Sequence, residues 1–216
     1  MRTHINSSRT VVKMSTLAVA GLLGLGLAAN AVSATLKAEA KNTTAHGISS
    51  GTLKLTQAKN GVGFDTTIAD MAPGDVVNRY VDYTNNGTLA SQELRLKVDD
   101  STSPKSLLST DSAKGLQLVV KDCSSAWNPT AGTCSGASTT LLTSPISALT
   151  SDTAFSNITT LAANSGILHL QFALTLPEAT ETTTNGTLTT GSIQGLAAAL
   201  TWTLSETQRT ATNTNA

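Results

Sequence analysis

The sequence predicts an all-β fold, a two-sheet antiparallel sandwich, and three observations carry that expectation. Apolar residues recur at every second position in the best-patterned segments. Gly, Asn and Pro punctuate those segments at short intervals. Beyond residue 34 the chain is rich in Thr, Ser, Ala, Leu and Gly and poor in charge, which together with the alternation reads as a β-protein signature. Six or more such segments within about 180 residues suit a single core. The expected type is a jelly roll with short helical turns in long connecting loops; a closed barrel is the alternative.

The clearest strand is "GILHLQFALTLP", where Leu168, Leu170, Phe172, Leu174 and Leu176 share one face and His169, Gln171 and Thr175 the other. In "QELRLKVD", Leu94, Leu96 and Val98 oppose Glu93, Arg95 and Lys97. "GLAAALTWTLSE" sets Leu196, Leu200, Trp202 and Leu204 against Thr201, Thr203 and Ser205. Weaker strands are expected over residues 52–57, 76–84 and 116–121. Residues 101–115 and 138–166 break the alternation and read as long connections.

The first 34 residues read as a secretory signal peptide. Arg2, Arg9 and Lys13 precede an apolar run from about Leu17 to Ala29, and small-x-small sites end at Ala31 and Ala34, the second preferred. The run is about a dozen residues, whereas a bilayer span needs about 20. The mature protein is therefore expected outside the cell, in an extracellular matrix or at the cell surface, with no transmembrane segment after cleavage. Cleavage removes three of the 14 basic residues and none of the 14 acidic ones, leaving 11 against 14. That balance disfavours nucleic acid as a partner. Residues 35–50 have too little apolar surface to pack alone and form an N-terminal arm. Residues 51–209 form the sandwich, and 210–216 a flexible polar tail.

Candidate chemistry is sparse. Cys123 and Cys134, in "CSSAWNPTAGTC", are the two cysteines, and in an oxidising compartment they read as one local disulfide. A metal site usually needs four ligands and a redox pair the tighter C-x-x-C spacing. The histidines beyond residue 34 are His46 and His169, expected as solvated imidazoles. No H-E-x-x-H pair, G-x-G-x-x-G loop or P-loop occurs. No catalytic residue, metal or cofactor is therefore expected. Asp65, Asp70, Asp75, Asp82, Asp99 and Asp100 cluster near predicted turns and strand ends. Asx capping accounts for them, and a calcium site using Asp70 and Asp75 is the alternative. Trp127 is expected to pack against its own loop rather than to stack on a sugar.

Several motifs carry a resemblance. "SSGTLKLTQ", then "IADMAPGDVVNRYVDYTNNGTLASQELRLKV", then "LTWTLSETQR" resemble, in that order, the TasA and camelysin family of secreted bacterial proteins. The "CSSAWNPTAGTC" insert looks like the actinobacterial branch, which implies a Gram-positive source. The family's "PGD" turn maps to Pro73, Gly74 and Asp75, opening the strand at Val76. Its second turn maps to Asn85, Asn86 and Gly87, residue types that tolerate positive φ.

The resemblance implies a jelly-roll subunit of biofilm-matrix fibres. Such subunits polymerise head to tail by donor-strand complementation, so the expected partner is the chain itself, with other matrix or cell-surface components beside it. The candidate donor strand is Thr35, Leu36, Lys37, Ala38, Glu39 and Ala40. Two other readings stay open: a camelysin-like metallopeptidase, and a monomeric surface binding module.

Overall fold

The computed structural model describes residues 47–158 and 160–213. The expected signal peptide, the candidate donor strand Thr35 to Ala40, His46 and the last three residues of the expected tail lie outside them. Strands β1 (Leu55–Lys59), β2 (Val76–Asn85) and β3 (Ser91–Asp100) come first, followed by a one-turn helix, Leu107–Thr110. Then come β4 (Gln117–Cys123), β5 (Trp127–Asn128), β6 (Thr133–Cys134) and β7 (Ser138–Pro145). The short β8 (Thr153–Ala154) and β9 (Thr160–Leu161) precede β10 (Gly166–Thr175), β11 (Thr183–Thr184), β12 (Thr187–Leu188) and β13 (Leu200–Gln208). Every pairing is antiparallel.

The larger sheet runs β1-β2-β10-β4-β7, and the smaller runs β13-β3-β8 with β9 also on β3. Their inner faces share one core. From the larger sheet it takes Val81, Tyr83, Leu118, Val120 and the alternating Leu168, Leu170, Phe172 and Leu174, and from the smaller Leu94, Leu96 and Val98. The chain is thus an all-β sandwich. The period-two pattern of β10 and β3 puts their apolar residues on the buried face, because successive side chains of a strand point to opposite sides.

Residues 138–166 are not a structureless connection: they contain β7, which closes one edge of the larger sheet. The strand hides from a period-two search because it bulges. Val120 faces Leu142 and Lys121 faces Thr140, leaving Leu141 as the extra residue. Leu141 and Leu142 are therefore both buried although adjacent, since a bulge sets two residues against one and breaks the alternation. The first strand also starts later than its pattern suggests, at Leu55. Leu196 lies before β13 and is exposed.

The two turns of the resemblance work differently from each other. Gly74 has φ 98°, the left-handed geometry that a type II turn needs after Pro73. The Asp75 N–H donates to the Ala72 carbonyl at 2.9 Å, and the Asp75 carboxylate accepts from the Ala72 N–H at 2.7 Å. Asx capping is what Asp75 does here. The second turn departs from expectation, since none of Asn85, Asn86 and Gly87 has positive φ.

Asn85 is instead fully buried. Its Nδ2 donates to the Leu89 carbonyl at 2.9 Å and its Oδ1 accepts from the Gly87 N–H at 2.9 Å, so a side-chain amide supplies the bonds that the turn's backbone lacks. Gly87 is needed for space. A Cβ there would lie 2.8 Å from the Lys54 nitrogen and 2.9 Å from the Leu53 Cα, a distance that backbone cannot accommodate without moving. The close approach lets the Leu89 N–H reach the Thr52 carbonyl at 3.0 Å and the Asn86 N–H reach the Lys54 carbonyl at 2.7 Å. Residues 52–54 are thereby fixed ahead of β1.

Candidate functional site

The structure opens a cleft of about 750 Å3 between the 64–73 segment, the 181–199 segment and the start of β13. Its floor is aromatic. Phe64 stacks on Trp202 with centroids 5.2 Å apart and meets Phe172 edge-on at 4.9 Å. Ile68, Met71, Leu174 and Ile193 extend the apolar wall, and Asp65, Asp70, Arg79 and Glu181 bring charge to it. Asp65 is held by Lys59, 2.8 Å away.

The cleft arises because β13 is under-covered. Leu200, Trp202 and Leu204 are on its inner face, yet each is only partly buried, unlike Leu94, Leu96 and Val98 on the neighbouring β3. Among the described residues β13 pairs only with β3. Its other edge therefore presents backbone N–H and C=O groups without a strand to accept them.

A second polar cluster lies on the outer face of the larger sheet, under the disulfide hairpin. Cys123 and Cys134 are bonded, with Cα atoms 5.9 Å apart. The hairpin β5–β6 folds Trp127 down onto Tyr80, with ring centroids 5.7 Å apart, and the indole Nε1–H donates to the His169 carbonyl at 2.8 Å. Trp127 is 6 % exposed, so it packs beneath the hairpin and presents no free face for stacking.

His169 is also not a solvated imidazole. Its Nδ1 lies 2.8 Å from the Asp82 carboxylate on the adjacent β2, and its backbone N–H donates to the Asp122 carboxylate at 3.1 Å. Burial pushes the Asp122 carboxyl up, against the lowering effect of that hydrogen bond. A tertiary pairing of strands distant in sequence made these contacts, and no local pattern could announce them. Among the described residues no three His, Cys, Asp or Glu side chains converge in a group that could hold a metal ion. Gly47–Gly51, "GISSG", has the spacing of a G-x-S-x-G nucleophile motif. These residues are exposed and lie in neither strand nor helix, so the strand-to-helix elbow that would present the serine is missing.

Removing the disulfide by the double substitution Cys123→Ser and Cys134→Ser is expected to lower stability by about 2–3 kcal/mol, through the freedom returned to the unfolded loop. A urea titration under non-reducing conditions measures it, and an unchanged midpoint would contradict the assignment.

Among the described residues no helix is long and apolar enough to cross a membrane. Neither a scan against protein-family models nor a search of curated proteins finds a match to this chain.

Proposed function

We propose that the chain is a secreted structural subunit that polymerises head to tail into extracellular fibres, of a biofilm matrix or the cell surface, by donor-strand complementation. The N-terminal arm of one copy adds to the sandwich of the next, which on this reading is a jelly roll with one strand supplied from outside. The observation that carries the reading is the partly covered strand β13 beside an apolar cleft. An extended peptide laid along an open edge gains main-chain hydrogen bonds, while pockets beside the edge take its side chains. Such a contact joins different surfaces of two copies, so it does not close on itself and propagates into a filament. The sequence resemblance to secreted fibre proteins and the disulfide, which suits an oxidising exterior, support the same reading.

Electron microscopy of the purified mature chain is the test. Filaments are expected from residues 35–216 and are expected to be lost on deleting residues 35–46, while the truncated protein keeps a cooperative melt. A free peptide of residues 35–50 should slow polymerisation of the intact chain, because both compete for one edge. Normal filaments from the truncated chain would sink the mechanism.

A further inference from the structure

The cleft beside β13 holds one charge of each sign that the described fold leaves incompletely paired. The Glu181 side chain is 8 % exposed, and its Oε2 is buried with no hydrogen-bond partner among the described residues. Its Oε1 has Lys114 Nζ at 4.0 Å, but that ammonium is half exposed and also donates to the Gly191 carbonyl at 3.4 Å. Arg79 Nη1 and Nη2 donate to the Asn78 and Thr66 carbonyls at 3.2 and 3.3 Å. Its Nε is buried and has no partner among the described residues, while the side chain as a whole is partly exposed and, after the Lys59 hydrogen bond, its charge helps lower the Asp65 carboxyl. Buried charges are normally paired and hydrogen-bonded, because removal from water without a partner is costly. An acceptor at Glu181 and a donor at Arg79, on the walls of an aromatic cleft, therefore fit an occupant with a cation, an anion and an apolar face.

The arm has that composition. In an extended segment, residues two apart point to the same side, about 7 Å from each other. Lys37 and Glu39 would share one face and Leu36, Ala38 and Ala40 the other. We propose that Glu181 and Arg79 are the register-selecting residues of the cleft, Glu181 taking Lys37 and Arg79 taking Glu39 from a neighbouring copy. The inference rests on the fibre reading above and adds what that reading lacks, a reason for one alignment over others. A shift of two residues would keep the apolar face on the aromatic floor but set Glu39 against Glu181 and Lys41 against Arg79. Apolar burial alone would not set this register.

The test is a charge exchange in the mature chain, read as filament elongation rate from seeds of the same variant. Lys37→Glu and Glu181→Lys are each expected to slow elongation about tenfold or more, since each opposes like charges. The double variant should return to within about threefold of wild type. Lys37→Glu lies in the arm and reports on the pairing even if Glu181→Lys melts without cooperativity. The isosteric Glu181→Gln, expected to be slowed to an intermediate degree, covers the same case from the cleft side. Elongation of Lys37→Glu at the wild-type rate overturns this inference and leaves the fibre reading standing. So does a double variant that melts cooperatively but stays as slow as the single ones. No filaments from the wild-type mature chain would overturn both.

Discussion

Replacing Phe172 with alanine is expected to lower the unfolding free energy by about 4 kcal/mol, a large share of what a domain of this size has available. The ring is 1 % exposed, at the centre of the middle strand of the larger sheet. It meets Phe64 edge-on and lies 5.7 Å from Trp202 at 70°, so one side chain ties both sheets to the 64–73 segment. Alanine removes the buried area and both edge contacts, and backbone held on either side by β2 and β4 cannot close the void. Phe172→Leu keeps most of the volume and should cost less than half as much. Urea unfolding should show a lower midpoint at unchanged slope, and the near-ultraviolet circular dichroism of the native state should weaken as Trp202 loses its neighbour. A loss below about 1 kcal/mol would show that the aromatic group does not join the sheets.

Substituting Asp100 by alanine is expected to cost about 3 kcal/mol. Asp100 ends β3 and is 9 % exposed. Burial pushes its carboxyl up, but hydrogen bonds from the Ser109 hydroxyl, the Thr102 hydroxyl and N–H, and the Ala199 N–H outweigh it and hold the group down at about 2. Alanine would leave those donors facing an apolar void. Because the folded value lies below the unfolded one of about 3.9, Asp100 contributes about 2 kcal/mol above pH 4, lost as the pH falls toward 2. Asp122 acts with the opposite sign, its raised carboxyl making ionisation a cost to the folded state. The difference between wild type and Asp100→Asn isolates the Asp100 share: the two stability curves should converge as the pH falls from 4 to 2. Parallel curves would mean that the carboxylate is not specially held.

The strands that were legible are those with one wet face and regular pairing. In β10, Leu168, Leu170, Phe172 and Leu174 alternate without interruption because the strand is paired along its whole length with β2. β7 was hidden by its bulge, where Leu141 and Leu142 imitate the adjacent apolar residues of a loop or helix. Polar residues of the outer face are the least legible in the sequence, and for one reason. Gln171 and His169 have the composition of a solvated face, and each acquires its partner from a strand distant in sequence, Tyr80 for Gln171 and Asp82 for His169. Cys123 and Cys134, near in sequence and confined by a short loop, could be paired from sequence. The cleft could not, because its charges come from Arg79 on β2 and Glu181 in the segment after β10.

The position of β10 also bears on the order in which the chain can fold as it is synthesised. It lies between β2 and β4, pairing Thr175 with Val76 and with Gln117, so neither half of the larger sheet meets the other until residue 175 has emerged. The smaller sheet waits longer, for Leu200 to find Asp100. Contacts this distant in sequence require loop closure before they stabilise anything, which slows folding. A chain emerging from its N-terminus would hold little beyond the β1–β2 pair, the disulfide hairpin and, from residue 145, the β4–β7 pair until β10 follows. Synthesis of the first strands and completion of the sheets are thereby separated in time by topology, and the cleft beside β13, which needs the last described strand, is the final feature to exist.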